Sequence, residues 1–183
     1  TSAVIPDSVT HIGNFAFSGA TSLVEITLGN SVTSIGSSAF ANTAITAIEL
    51  PESLTSIGAG AFLDSDLEAV VIPSGMTSIG DNAFSGASAL TSVEIPDSVT
   101  TIGNHAFRNT GLTSVVIPNS VTTIGDGAFI NASTLKSVSF GNSVSHIGSS
   151  AFFGTALKTL EIPDSVSSIG DWAFAKLPIH TLD

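Results

Sequence analysis

The chain has 183 residues, of which 43% are hydrophobic and only 10% charged, so it carries enough apolar material for a continuous core under a surface made mainly of Ser, Thr, Asn and Gly. Four Lys and Arg against 15 Asp and Glu leave a net charge of −11. This excludes nucleic acid and an anionic membrane surface as partners, because both attract basic side chains. The chain contains no Cys, and therefore no disulfide, thiolate metal site or Cys nucleophile, and no apolar run approaches the length of a membrane-spanning helix.

Residues 1–6, Thr-Ser-Ala-Val-Ile-Pro, align with residues 91–96, Thr-Ser-Val-Glu-Ile-Pro, so the first element is a strand of a repeating unit. An Ile-Gly pair follows at Ile12 and recurs at Ile35, Ile57, Ile79, Ile102, Ile124, Ile147 and Ile169, in steps of 23, 22, 22, 23, 22, 23 and 22 residues. A period of that length is the signature of a solenoid. The last residues, His180-Thr181-Leu182-Asp183, align with residues 91–94, again inside a strand. The expectation is one repeat array over residues 1–183, part of a longer protein. Phe15 and Trp172 are the only aromatics in a column otherwise filled by Ser38, Gly60, Asn82, His105, Gly127 and Ser150. Their place in the first and last rungs predicts that they cover the ends of the array.

Each repeat reads as three pieces. Leu-x-x-Val-x-Ile, as in residues 90–95, alternates out and in over its last four residues, which is the period of a strand. Proline ends it at Pro6, Pro51, Pro73, Pro96, Pro118 and Pro163, because it lacks the N–H a ladder needs and pre-sets a turn. Val-Thr-x-Ile-Gly is a second short extended segment, and x-x-Ala-Phe is expected to form a single helical or 3₁₀ turn. The 23-residue units carry their extra residue after the Phe, in residues 18–22, 85–89 and 130–134, where length is tolerated.

The columns define a core. Phe recurs at positions 17, 40, 62, 84, 107, 129, 152 and 174, and stacking at about 4.8 Å per rung makes a ladder of rings. The Ala before each Phe predicts a site with room for no more than a methyl. The Gly of each Ile-Gly pair predicts either positive φ or close passage of a neighbouring backbone. The fold class expected is a mainly β, α/β solenoid of eight right-handed coils, with a parallel sheet on one face built from segments such as residues 93–95 and 115–117, short second strands and single helical turns.

Catalytic chemistry finds little support. His11, His105, His146 and His180 occupy scattered repeat positions beside serines that any surface would supply. Glu49 and Glu94 lie two rungs apart, at about 10 Å, too far for a retaining carboxylate pair. Asp81, Asn104 and Asp126 share a column that could hold Ca²⁺, but they follow the Gly and are better read as caps of the Ala-Phe turn. No phosphate-binding loop occurs and no cofactor is implied. Ser/Thr pairs such as Ser53/Thr55, Ser98/Thr100 and Ser120/Thr122 form a hydroxyl ladder of the kind an ice-binding solenoid presents; Gly75 interrupts it.

These residues resemble the BspA-like leucine-rich repeat of bacterial surface antigens, whose unit reads Ile-Pro-x-Ser-Val-Thr-x-Ile-Gly-x-x-Ala-Phe-x-x-Cys-x-x-Leu-x-x-Val. The likeness extends over all eight units. The family's Cys is replaced throughout, by Ala20, Thr43, Ser65, Ala87, Thr110, Ala132, Thr155 and Leu177. The resemblance implies a curved leucine-rich-repeat solenoid with a parallel sheet on one face, a secreted or cell-surface setting and adhesion to proteins or glycans of a cell or matrix surface. It transfers no catalytic residue.

The function expected is a non-enzymatic, adhesin-like recognition module, acting as a monomer without insertion in a membrane. Its alternatives are a structural spacer within a larger surface protein, an accessory binding domain of an enzyme and the ice-binding solenoid. In Leu-x-x-Val-x-Ile the third and fifth residues point outward. The first outward column is mostly small, from Glu25, Ala47 and Ala69 to Thr181; the second reads Thr27, Glu49, Val71, Glu94, Val116, Ser139, Glu161 and Asp183. The strip Glu49, Val71, Glu94, Val116 and Glu161 is the predicted partner-binding surface. A rival is the loop column with Leu63, Arg108, Ile130 and Phe153, where Ile130 and Phe153 fall on adjacent rungs.

Overall fold

A computed structural model describes residues 1–178 of the chain. The Leu-x-x-Val-x-Ile pieces form three-residue strands with the middle residue inward, at Ser2–Val4, Glu25–Thr27, Ala69–Val71, Ser92–Glu94, Ser114–Val116 and Ser137–Ser139. The Val-Thr-x-Ile-Gly pieces form eight two-residue strands, from His11–Ile12 to Ser168–Ile169. All strand pairing is parallel and in repeat register, for example Thr101 with Thr123 and Ile102 with Ile124. No helix forms among the described residues. The protein is a mainly β parallel solenoid.

The Phe column is the centre of the core. Phe40, Phe62, Phe84, Phe107, Phe129 and Phe152 are fully buried. From Phe17 to Phe174 the rings stack with centroids 5.1–5.5 Å apart and planes within 12° of parallel. This is the offset arrangement that ring quadrupoles favour. Each preceding Ala from Ala39 to Ala151 is also fully buried, as expected for a site that admits one methyl. Close passage explains the Gly of the Ile-Gly pair. A Cβ on Gly36 would lie 2.5 Å from the Asn14 nitrogen, and one on Gly125 would lie 2.8 Å from the Asn104 nitrogen, both in the preceding rung. Ladder hydrogen bonds such as Gly125 N–H to the Ile102 carbonyl, 2.8 Å, need that approach.

The x-x-Ala-Phe piece is not the helical turn expected from its sequence. It is a run of consecutive turns in which alternate N–H groups point along the solenoid. In the rung of Phe107, Ala106 and Arg108 donate back to Gly103 and His105, whereas His105, Phe107 and Asn109 donate to Asp126, Ala128 and Ile130 one rung on, at 2.8–3.0 Å. Such alternation requires left-handed residues. The Phe15/Trp172 column has φ between 52° and 63° in all eight copies, and a second column, running Gly19, Asn42, Asp64, Gly86, Asn109, Asn131, Gly154 and Lys176, has φ between 52° and 77°. Gly and Asn tolerate this region; Phe15 and Trp172 are bulky exceptions. Their side chains are 65% and 72% exposed, so they stand off the surface and do little of the end-covering expected of them.

The positions of the family's Cys are buried from Thr43 to Thr155. Thr43, Thr110 and Thr155 donate their hydroxyls to the carbonyls of Phe40, Phe107 and Phe152 at 2.8–3.0 Å. Ser65, in the same column, has a buried hydroxyl without a partner among the described residues. A second such hydroxyl is Ser98. Its counterparts Ser53, Ser120 and Ser165 reach the carbonyls of Val32, Val99 and Val144. The residue below Ser98 is the buried Met76 where these rungs have Val. The second-strand ladder is interrupted at the same rung, dividing it into sheets of three and five strands between Ser56–Ile57 and Ser78–Ile79.

The first-strand face is paired in a pattern set by loop length. Ser2–Val4 pairs with Glu25–Thr27, Ala69–Val71 with Ser92–Glu94, and Ser114–Val116 with Ser137–Ser139, always at an offset of 23 residues. These three steps contain the five-residue loops 18–22, 85–89 and 130–134. Across the 22-residue steps, whose loops have four residues, the described residues make an isolated Glu25–Ala47 bridge and single backbone bonds such as Glu68 N–H to the Thr46 carbonyl, 3.0 Å, but no three-residue ladder. One residue spans about 3.5 Å of chain, and its loss shifts the next segment enough to break the three-residue ladder, though not to part the segments altogether. The N–H groups of Ile5, Ile72 and Ile117 donate across the long steps to Thr27, Glu94 and Ser139 at 2.8–3.0 Å. Among the described residues, no such backbone bond is made by Leu28, Leu50, Ile95 or Phe140 at the short steps. The long continuous sheet expected on this face is therefore divided into two-stranded ribbons.

Two substitutions test this account of the core. Phe107→Ala removes a ring from the middle of the ladder and should cost about 3–5 kcal/mol in a denaturant titration; a loss below about 1 kcal/mol would place the core elsewhere. Ser65→Ala removes an orphaned hydroxyl and should raise stability by about 1 kcal/mol, whereas Thr110→Ala, which removes a satisfied one, should lower it by a similar amount or more.

Candidate binding face

The outward strip predicted from sequence lies on the first-strand face. Val71 and Glu94 are register partners, as are Val116 and Ser139. Val71 is 57% and Val116 67% exposed, with the acids Glu49, Glu94 and Glu161 exposed beside them in the same column. Val4, at the start of the column, is 74% exposed. Thr181 and Asp183 fall outside the described residues, as does His180. Small residues, Ala47, Ala69, Ser92, Ser114 and Ser137, flank the strip and are exposed, so a partner can approach the backbone closely.

Sequence reasoning did not find the openings between ribbons. One, of ≈ 330 Å³, lies between residues 48–50 and 69–71 and has Glu49 and Val71 on its two sides. The other, of ≈ 610 Å³, lies between residues 137–142 and 159–165, with Phe140 and Ile162 among its apolar and Glu161 and Asp164 as its acidic lining residues. Both fall at 22-residue steps. The signal was present as the alternation of four- and five-residue loops, but its effect on pairing required coordinates.

The rival patch is not the exposed surface expected. Leu63, Ile130 and Phe153 are half-buried, and only Arg108 of that column is exposed. The Lys176 ammonium lies 4.9 Å from the centre of the Phe153 ring, a cation–π contact that covers part of it.

The polar columns have structural partners. Asp81, Asn104 and Asp126 do not cap their own turns. Their Oδ1 atoms accept the N–H of Asn104, Asp126 and Ser149 one rung on, at 2.6–2.8 Å. Asn14 does the same for Ser37. Among the described residues no three His, Asp or Glu side chains gather as a metal site. The Thr33, Thr55, Thr100 and Thr122 hydroxyls donate to carbonyls of Thr10, Thr33, Thr77 and Thr100 in preceding rungs, which engages the polar half of the hydroxyl ladder. His11 pairs through Nδ1 with the Ser34 hydroxyl, and His105 lies over Gly127. No helix among the described residues is long and apolar enough to cross a membrane.

The BspA type leucine rich repeat region matches residues 1–68 and 55–180, in six copies. The chain belongs to this leucine-rich repeat family. A leucine-rich repeat protein from Bacteroides ovatus is similar in structure, with a TM-score of 0.85 and 34% identity, over 93% of this chain and 45% of that one. The leucine-rich repeat protein of T. pallidum has a TM-score of 0.76 and 30% identity, over 93% of this chain and 85% of that one. A leucine rich cell surface protein from Faecalibacterium prausnitzii has a TM-score of 0.60 and 26% identity, over 96% of this chain and 70% of that one. This chain thus spans under half of the Bacteroides protein. A search of curated proteins found no match.

The Asx column gives a direct test of the metal reading. Asp126→Asn keeps the acceptor for Ser149 and should leave stability nearly unchanged; Asp126→Ala should lose about 0.5–1.5 kcal/mol. Chelator and added Ca²⁺ should both leave the melting temperature of the unmodified protein where it is. A chelator-induced fall reversed by Ca²⁺ would restore the metal reading.

Proposed function

We propose that this chain is a non-enzymatic recognition module of a secreted or cell-surface bacterial protein, and that it binds a protein through the strip Glu49, Val71, Glu94, Val116 and Glu161. The observation that carries the reading is the exposure of Val71 and Val116 at 57% and 67% between acids of one column. Inward positions of the same strands hold apolar residues in every rung, so the outward column is where the repeats differ. A partner of matching chemistry presents Lys or Arg alternating with apolar side chains. The acids would speed its approach at low salt, and the valines would hold it once docked.

A glycan is the weaker choice for this strip, which offers no aromatic ring for a sugar face to stack on. A spacer needs no exposed valine at all. The surface setting is supported by the likeness to a leucine rich cell surface protein. Glu94→Lys combined with Val116→Glu should reduce affinity for the partner at least about tenfold, while the melting curve stays intact, since neither side chain is in the core. Loss of binding on Ile130→Ser with Phe153→Ser instead would place recognition on the loop column.

A further inference from the structure

Every ribbon of this face ends in an unpaired strand edge, and the opening beside Phe140 sets one such edge against a cavity about twice the volume of the one at Glu49 and Val71. On one edge of Ser114–Val116 the neighbouring strand Ser137–Ser139 pairs with the backbone, and the Ile117 N–H continues the ladder to the Ser139 carbonyl at 2.8 Å. On the far side of Ser137–Ser139 the ladder stops. Residues 159–161 form no strand, and among the described residues neither Val138 nor Phe140 donates a backbone hydrogen bond to them. The two segments face each other across a cavity of ≈ 610 Å³. Two causes coincide here. The step is a short one, with the four-residue loop 153–156. The column of Ile5, Ile72, Ile95 and Ile117 also has Phe at position 140, and that ring meets Phe152 edge-on at 5.6 Å.

An unpaired edge is a template for another strand, because its N–H and C=O groups lie in the right direction and spacing for a ladder. The walls define what strand would fit. Val138, Phe140 and Ile162 supply apolar contact, Glu161 and Asp164 supply negative charge, and the lining contains no Lys or Arg. We propose that this cleft binds an extended peptide segment with alternating basic and apolar side chains, which adds to the edge of Ser137–Ser139 as a parallel or antiparallel strand. The inference rests on the first-strand face being the recognition surface, and it assigns one place on that face where a partner's main chain is read. The other opening, at Glu49 and Val71, is about half the volume and has a single acid among its lining residues.

The test uses an acetylated and amidated peptide, Lys-Val-Lys-Val-Lys-Val-Lys, and the same peptide N-methylated at alternate amides. N-methylation keeps every charge and removes the donors. The unmethylated peptide should bind and slow hydrogen exchange at the Val138 and Phe140 amides, and the methylated one should bind at least about tenfold more weakly. Replacing residues 153–156 with the five residues 130–134 should close the step, pair the strands and weaken binding by a similar factor. Equal affinity of the two peptides, or no binding of either, overturns the proposal even if the graft fails to fold. Unchanged affinity in a folded graft overturns it as well. Glu94→Lys with Val116→Glu leaves the cleft lining intact. If it abolishes partner binding but not peptide binding, the strip and the cleft are both in use. If it leaves partner binding untouched while the peptide still binds the cleft, only the strip reading fails.

Discussion

A phenyl ring at the same place in every rung keeps its neighbours 5.1–5.5 Å away, while the N–H of the same residue donates to the Ala of the next rung at 2.7–2.9 Å. Ring contact and backbone bond thus fix one spacing from two sides. The other features of the array follow from having to meet that spacing. The Ala before the Phe must be small, and the Gly of the Ile-Gly pair must let the preceding backbone approach within reach of a ladder bond. The turns must place every second N–H along the solenoid axis, which needs two left-handed residues per rung. Even the exposed acids at Asp81 and Asp126 serve the spacing, because their carboxylates accept N–H groups of the following rung.

One part of each rung lies far enough from the Phe ladder to escape it. The first-strand segment is reached through the loop after the Phe, and a loop of four or five residues decides whether it meets the segment before it. Where it does, two strands pair over three residues; where it does not, the ladder shrinks to a bridge or single bonds, and between residues 48–50 and 69–71 and between 137–142 and 159–165 a gap opens. The second strands show no such dependence. They pair at both step lengths, as at Thr101 to Thr123 and Thr123 to His146. The proximity of the Ile-Gly pair to the Phe explains the contrast: only four residues separate the Ile from the Phe in every unit, so the second strand keeps its register whatever the loop length, and its one break among the described residues falls at the rung of Met76.

Much of this was legible in the residues themselves. The eightfold Ile-Gly and Ala-Phe pattern gave the solenoid, its core and its parallel strands, and the outward column of Glu49, Val71, Glu94 and Val116 is exposed as alternation requires. The turns were misread because x-x-Ala-Phe looks like a fragment of helix when its φ angles are unknown. The corrective signal was the Gly/Asn column from Gly19 and Asn42 to Asn131 and Gly154, a recurrence characteristic of left-handed backbone. The interruption of the second-strand ladder at the rung of Met76 was not legible, since a Val-to-Met exchange in a buried column looks conservative. Leu63, Ile130 and Phe153 are half-buried where a loop position suggested exposure, and for Phe153 the contact with Lys176 is one that the sequence does not reveal.

The separation of these two regions bears on how such an array can acquire a binding specificity. Inward residues answer to their counterparts in the rungs on either side, so a change at one is felt by two others. Outward residues of the first strands have no such neighbours below them, and Val, Glu, Ser and Thr succeed one another there without disturbing the stack. Loop length adds a second, coarser variable that acts on the main chain instead of on side chains. A single residue gained or lost after the Phe closes or opens a gap in the face, while the Phe, Ala and Gly columns are carried past the change in register. Pattern on the strip and gaps between ribbons can therefore vary independently, over a core that neither of them alters.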